Sequence, residues 1–293
     1  MGALAGLVTL PVDPPAPSVE TAATIDGGRP IDWSRTSADY GTHRPGPPQR
    51  LFDGLAALGV GRRGQRVLDL GTGTGLVARE LARRGAIVSG IDIAAGQIEE
   101  AARSAAAEGL AVDFVVAAAE ACPYADASFD AIVASQCWMY FDVGPTIAEV
   151  RRLLRPGGVL VTTHFSWLPR ADAIARASEA LVLQANPAWQ GGDWSGRIPA
   201  RPSWSKGRAT AKAMFWFDAD VPFTRERWRG RMRACRGVGA TLPAAGIEAF
   251  DAALAAWLDV HAPPAFTVRH RIDAHLFDPW PDPAVASAAR AAA

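Results

Sequence analysis

Cysteine is scarce in this chain. Cys122, Cys137 and Cys235 are the only three among 293 residues, an odd number with no Cys-x-x-Cys pair. That argues against a disulfide framework or a zinc cluster and fits thiols kept reduced in a cytoplasm. Net charge is absent too, since 30 Lys and Arg are matched by 30 Asp and Glu. Without a net positive field there is little long-range pull on nucleic acid or an anionic membrane, so the expected partner is a small molecule. No apolar run approaches the roughly 20 residues a membrane-spanning helix needs. The amino terminus starts apolar but has no basic region, and prolines soon interrupt it, so a secretory signal is not expected. A cytoplasmic protein, monomeric or a homodimer, is the expectation.

What is present is the composition of an ordinary globular enzyme, 49% hydrophobic and 20% charged. The length suits one large domain or a domain carrying a smaller lid. Residues 1–30, rich in Pro, Ala and Gly, read as a flexible leader, and 281–293 as a disordered tail. From Ile31 a Pro-bounded turn and a helix lead to Gly59, and then strands and helices alternate. "RVLDL", "AIVSGID", "VDFVVA", "FDAIVAS" and "GVLVTTHF" read as strands. "GLVARELARRG", "AGQIEEAARSAAAEG" and "GPTIAEVRRLLRPGG" read as the helices among them. That alternation predicts an α/β fold with a parallel sheet covered on both faces. Beyond Phe165 come a helix over Ala171 to Gln184 and a Pro-, Gly- and Trp-rich loop over Asn186 to Arg208. Two more strands, "AMFWFDADV" and "FTVRHRIDAHLF", follow with helices between them.

Chemistry concentrates in "VLDLGTGTG". Gly71, Gly73 and Gly75 follow a strand and open a helix. Glycine there permits positive φ and close approach of a ligand, and the helix amino terminus favours anionic or acceptor groups; a tight turn also uses glycine structurally. The spacing is not the dinucleotide pattern, which would put its third glycine at Leu76. Asp92 ends the next strand, about 20 residues on, where an acid meets ribose hydroxyls or merely caps a helix.

These residues, with "GIDIA", "AAAEACPYADASFDAIVAS" and "EVRRLLRPGGVLVTT", resemble in order the motifs of class I S-adenosylmethionine-dependent methyltransferases, in the type 11-like subgroup with small-molecule acceptors. The resemblance runs from about Asp32 to Phe165 and continues more weakly to "VRHRIDAHLF". It implies a Rossmann-like, doubly wound, mostly parallel seven-stranded sheet with helices on both faces and a carboxyl-terminal lid or acceptor insertion. Residues 31–165 would be the cofactor-binding core with an amino-terminal cap helix. Residues 166–280 would hold the acceptor region and the last strands of the same sheet. It further implies S-adenosyl-L-methionine as cofactor and S-adenosyl-L-homocysteine as product. Asp69, Gly71, Gly73 and Gly75 would surround the methionine moiety, Asp92 would hold the ribose and Ile93 would pack on the adenine. Ala119 and Glu120 would read the adenine edge, with Ser135 and Gln136 beneath the sulfonium. Tyr40 and Arg44 would close over the cofactor and pair with its carboxylate, a task suited to a guanidinium fork. The chain departs from the family at Trp138 to Asp142, "WMYFD", where members often carry Trp-His-Trp-Phe-Asp.

A sulfonium methyl is already activated, so in-line transfer to O, N or C needs a positioned nucleophile and excluded water more than acid–base machinery. Where the acceptor must lose a proton, His164 at the end of the fifth strand is the candidate base; His43 is a poorer one. His270 and His275 lie five apart on a strand, hence on opposite faces, and no metal site is expected. Trp138, Tyr140, Trp167 and Trp189 are candidate walls for a hydrophobic or aromatic acceptor, with Phe141, Trp194, Trp204 and Trp216 in the same class. In "RERWRGRMRACR", Arg225, Arg229 and Arg233 share one helix face and Arg227 and Arg231 another. A solvated helix is the ordinary outcome, with Arg233 the candidate for an anionic acceptor. Two rivals stay open: an RNA methyltransferase, against which the lack of basic bias counts, and a cyclase or binding module that keeps the cofactor without methylating.

Overall fold

The computed structural model describes residues 25–28 and 31–280. Seven strands form one sheet: β1 (Arg66–Leu70), β2 (Ile87–Asp92), β3 (Val112–Val116), β4 (Phe129–Ser135), β5 (Leu154–Trp167), β6 (Thr210–Thr224) and β7 (Ala265–Asp278). Their order is β3-β2-β1-β4-β5-β7-β6. The first five are parallel, and β7 is antiparallel to both β5 and β6. The helices are α1 (Ser37–His43), α2 (Gln49–Ala57), α3 (Leu76–Arg83), α4 (Ala95–Ala107), α5 (Val143–Leu153), α6 (Ala173–Ala185), α7 (Arg225–Arg233) and α8 (Ala244–His261). This is the α/β sheet the sequence predicts, with its last two strands in the same sheet.

Strand sequences read as apolar runs because both faces are covered. Val67, Ala131, Val133, Val161 and Ile272 face one core with α2, α3, α6, α7 and α8. Leu68, Leu70, Ile132, Ala134 and Leu160 face the other with Ile147, Val150 and Leu153 of α5. Because side chains alternate along a strand, neighbours in β1 and β4 serve opposite cores.

Two boundaries move relative to the sequence reading. The segment "RPGG" does not close α5, which stops at Leu153. It enters β5 through a register shift, with Gly157 at φ 80. At its other end β5 runs past Phe165 to Trp167, because β7 goes on pairing with it as far as Trp167↔His270. Pro222 lies within β6, where it opposes Thr267; β6 is the outer strand, so the missing N–H breaks no inner ladder.

Of the expected leader, residues 1–24, 29 and 30 lie outside the described residues, as does the expected tail 281–293. Ile25–Gly28 forms a 3-10 turn whose Ile25 and Asp26 are buried. Among the described residues no helix is long and apolar enough to cross a membrane.

Trp228 of α7 is fully buried, edge-on to Trp167 and Phe223, and donates from Nε1 to Ser178 Oγ at 2.9 Å. Trp228→Ala should cost about 3–5 kcal/mol of stability, the range for removing a large buried aromatic ring. The shift of the urea unfolding midpoint against wild type measures it.

Candidate active site

After β1 the chain turns into α3 on one face, and after β4 it turns into α5 on the other. Between the two strand ends a crevice opens, the place where open parallel sheets take ligands. The cavity here measures about 1070 Å³. That is at or beyond the ~300–1,000 Å³ of a single-ligand pocket, so it has room for two molecules.

Gly71, Gly73 and Gly75 all have positive φ, at 62°, 55° and 74°. They differ in what they make room for. A Cβ on Gly71 would stand 2.9 Å from Cys137 and 3.1 Å from Phe141, so this glycine lets the loop close on the segment after β4. A Cβ on Gly75 would stand 2.9 Å from Phe114 and 3.2 Å from Ala101. Gly75 therefore serves the packing of α3, and it is not part of the cavity wall. Gly73 is the open one, with Gln97 Oε1 nearest at 3.8 Å, and its N–H donates to Asp92 Oδ2 at 3.0 Å. Asp92 Oδ1 accepts from Ala94 N at 2.9 Å, so this acid both braces the glycine loop and caps α4. Burial pushes the Asp92 carboxyl up, against the backbone hydrogen bonds of Ala94, Gly73 and Ile93.

Asp69 is buried beneath the loop and accepts from Thr72 Oγ1 at 2.7 Å, while its Oδ1 has no donor. Burial raises its carboxyl to about 7, against the bonds from Thr72 and Ala78 and with some help from the charge of Asp92. Gln97, a residue with no motif to mark it, donates to Trp33 O at 3.0 Å and leaves a buried Oε1 without a donor. Across the cavity stand Tyr40 and Arg44, the guanidinium 4.7 Å over the Tyr40 ring. No acceptor among the described residues takes a hydrogen bond from the Arg44 side chain. Unpaired acceptors at Asp69 and Gln97 and an unpaired guanidinium at Arg44 fit a zwitterionic amino-acid group, whose ammonium and carboxylate match them in sign.

The remaining sequence candidates gather around the same cavity. Ile93 is 69% exposed on its wall. Ala119 lies beside it, and Glu120 Oε1 accepts from Asp142 N at 2.9 Å. Ser135 Oγ accepts from Thr163 Oγ1 at 2.9 Å. Gln136 has φ 62, an unusual backbone for a non-glycine residue, and its side chain donates to the carbonyl of Phe165 and to Ser166 Oγ. Trp138, Tyr140, Trp167 and Trp189 also line the cavity, as do Phe141, Trp194 and Trp204. Trp216 does not; it lies 52% exposed on β6 with Arg271 stacked on it at 4.3 Å.

Arg233 is a correction. Its guanidinium is held by Asp39 at 2.8 and 2.9 Å and by Asp251 at 2.8 Å, and it forms no part of the cavity wall. From that cluster it is Arg231 and Arg236 that reach the cavity. Arg236 donates to Tyr140 Oη at 3.1 Å and pairs with the buried Asp26 at 2.7 Å, while Gln190 N donates to Asp26 Oδ1 at 2.8 Å. This network ties the residue-26 turn, the tryptophan loop and the segment after β4 into one roof.

His164 meets Asp273 across the β5–β7 ladder, Nδ1 to Oδ2 at 3.1 Å. Asp273 is buried, and His275 Nδ1 stands 3.3 Å from the same oxygen. Burial pushes the Asp273 carboxyl up, but the neighbouring His164 and His275 outweigh it and hold the group below its ordinary value. An ionised Asp273 fixes the proton on Nδ1 of His164 and leaves Nε2 as a lone-pair base, without a partner among the described residues. His275 Nε2 donates to Pro199 O at 2.9 Å. His270, on the opposite face, sits among Phe165, Trp167 and Trp228; burial lowers it to about 3, so it is a neutral core residue. His43 is 3.6 Å from Asp39 and outside the cavity wall.

A family model described as a methyltransferase domain matches residues 68–162. A malonyl-[acyl-carrier protein] O-methyltransferase of Enterobacter lignolyticus is 30% identical over 221 residues, which is 72% of this chain and 82% of that protein. A ubiquinone biosynthesis O-methyltransferase of Methylocella silvestris is 36% identical over 121 residues, 41% of this chain and 47% of that protein. In fold, the chain matches a protein of Anaeromyxobacter dehalogenans assigned as a type II methyltransferase, at 22% identity and TM-score 0.54, over 82% of this chain and 99% of that one.

Asp69 has a pH signature of its own. Its folded carboxyl is raised from 3.8 to about 7, so between those values the folded chain holds a proton that the unfolded chain has released. Stability from this group is therefore lost as pH rises through about 4 to 7. Asp69→Asn should remove that loss. Urea titrations of the ligand-free protein should show the variant gaining on wild type across this window and the difference levelling off above it.

Proposed function

The chain belongs to the class I S-adenosylmethionine-dependent methyltransferases, and from that premise we propose that it methylates a hydroxyl oxygen on a small hydrophobic or aromatic metabolite by in-line displacement. The observation that carries this reading is the His164–Asp273 pair, which lines the same cavity as the glycine loop. Oxygen is the acceptor atom for which a base is most useful, since a neutral hydroxyl must lose its proton as it attacks. Both relatives described above are named as O-methyltransferases, which supports the same choice.

When bound, the cofactor supplies an electrophilic methyl on a sulfonium sulfur and departs as S-adenosyl-L-homocysteine. The chain's own residues divide the remaining work. Arg44, with Tyr40 beneath it, receives the cofactor carboxylate, and Asp69 and Gln97 accept from its ammonium. Gly71 and Gly73 bring backbone close to the methionine moiety. Asp92 turns its remaining lone pairs to the ribose hydroxyls, while Ile93, Ala119 and Glu120 border the adenine. Ser135 and Gln136 would floor the site that holds the cofactor's sulfur, Gln136 being locked by its bonds to β5. His164 Nε2 takes the acceptor proton, and Asp273 stabilises the imidazolium that results. Trp138, Tyr140, Trp167 and Trp189 wall the acceptor, and the roof through Asp26 and Arg236 excludes water.

The test is calorimetry with S-adenosylmethionine and S-adenosylhomocysteine, followed by transfer of labelled methyl from the cofactor into small-molecule extracts. Label in a base-stable methyl ether of a small metabolite is expected, whereas base-labile label would mark a carboxyl ester and move the acceptor atom off the hydroxyl. Cofactor binding with no label in any fraction would return the chain to a non-methylating role, and label confined to added RNA would move the acceptor class. Asp92→Ala should weaken both cofactor forms by about 1.5–3 kcal/mol, the range for hydrogen bonds to a charged group. Asp273→Asn and His164→Ala should each lower kcat about 10²-fold or more with cofactor affinity unchanged; turnover at the wild-type level in both variants would remove the base.

A further inference from the structure

Among the arginines of α7, Arg231 alone is buried and lines the cavity. It is 6% exposed, lines the cavity, and lies 4.8 Å over the Trp167 ring. No carboxylate or carbonyl among the described residues accepts a hydrogen bond from it. Of the other arginines of the helix, Arg227 is exposed to solvent, and the rest are engaged: Arg225 by Asp259, Arg229 by Asp251, and Arg233 by Asp39 and Asp251. Burial, and then the nearby charge of Arg44, both hold the Arg231 guanidinium below its ordinary value. An arginine keeps its proton at neutral pH all the same. A desolvated cation without a counter-ion is an expensive thing to build, and it is tolerated where a ligand supplies the missing charge.

Counting charge decides which ligand. S-adenosylmethionine carries one carboxylate against an ammonium and a sulfonium, so it brings net positive charge to a place already holding Arg44 and Arg231. The acids on this cavity are engaged elsewhere. Asp273 is held by two histidines, and Glu179 accepts from Trp167 Nε1 at 2.6 Å and from Asp193 N at 2.7 Å. One cofactor carboxylate satisfies one guanidinium, and the second is left over. We propose that Arg231 receives a carboxylate of the methyl acceptor, whose flat hydrophobic body lies against Trp167, so that the acceptor is an aromatic or similarly flat acid. This deepens the hydroxyl-methylation reading above and rests on it.

The test uses the full chain loaded with S-adenosylhomocysteine and reads binding, not turnover. Calorimetry compares benzoate, 4-hydroxybenzoate and indole-3-acetate with their methyl esters on wild type, Arg231→Gln, Arg231→Lys and Arg44→Gln. The expected result is an acid held at least about tenfold more tightly than its ester by wild type, the lower end for a hydrogen-bonded charge pair. That preference should vanish in Arg231→Gln, which should hold S-adenosylhomocysteine within about threefold of wild type, whereas Arg44→Gln should lose at least about tenfold. If Arg231→Gln does not fold, Arg231→Lys serves in its place, keeping the charge but losing the two-pronged grip and with it part of the preference. Acids bound no better than esters, or a preference that survives Arg231→Gln, overturns the proposal. So does a loss of S-adenosylhomocysteine in Arg231→Gln as large as in Arg44→Gln, which would give both arginines to the cofactor carboxylate. Failure of wild type to bind S-adenosylhomocysteine at all appears before any acid is added, and it sinks the methyltransfer reading rather than this one.

Discussion

Neighbouring parallel strands β1 and β4 send their chains to opposite faces of the sheet, and no side chain can fill the gap that this divergence leaves between them. The rest of the molecule is arranged around that gap. Backbone N–H groups of the glycine loop, the carboxylate of Asp92 and the strained Gln136 all stand at strand ends because only strand ends border it. Rigidity comes from below, where both faces of the sheet are buried; variety comes from above, where the roof is built from segments far apart in the chain.

Buried charge gives the cavity its character. Asp69, Asp92 and Glu179 are all pushed up by burial, Asp273 is held down by two histidines, and Arg231 has no counter-ion of its own. A core built for stability alone would replace such groups with apolar ones of similar volume, because desolvating an ion costs more than most pairings return. Asp92, Glu179, Asp273 and Arg231 line one cavity, with Asp69 buried beneath its glycine loop, and that grouping is the physical mark of a site that waits for charged ligands. The same logic separates Arg231 from Arg233, two residues away on one helix: Arg233 finds two aspartates of its own, and Arg231 finds only the face of a tryptophan.

Roofing the cavity takes three distant pieces. The turn at Asp26, the loop at Gln190 and the turn after α7 at Arg236 meet through one buried carboxylate, and Tyr140 joins them through its hydroxyl. The tryptophan loop has almost no regular backbone of its own, yet Trp204 packs 4.6 Å from Trp138 and 4.7 Å from Phe277, which anchors it over the α5 face. A lid held by aromatic contacts and one ion network can exclude water without being part of the core.

The amino-acid sequence by itself determined the sheet, its helices and the glycine-and-acid pair of Gly71, Gly73 and Asp92, because these rest on local rules: two-residue alternation, apolar runs bounded by turn residues, and glycine where φ must be positive. It also contained a sign that Arg231 would be buried, since Trp228, Met232 and Cys235 recur at helical spacing and Arg231 lies beside that stripe, whereas Arg233 lies off it. Only the tertiary structure decided that Asp273 would orient His164, that Gly75 would serve packing rather than the ligand, and that Asp26 would leave an unpromising leader to clamp Arg236. These depend on which residues a register or a crossing helix brings together from distant parts of the chain, and no local pattern in a single chain records a distance between elements that meet only after folding.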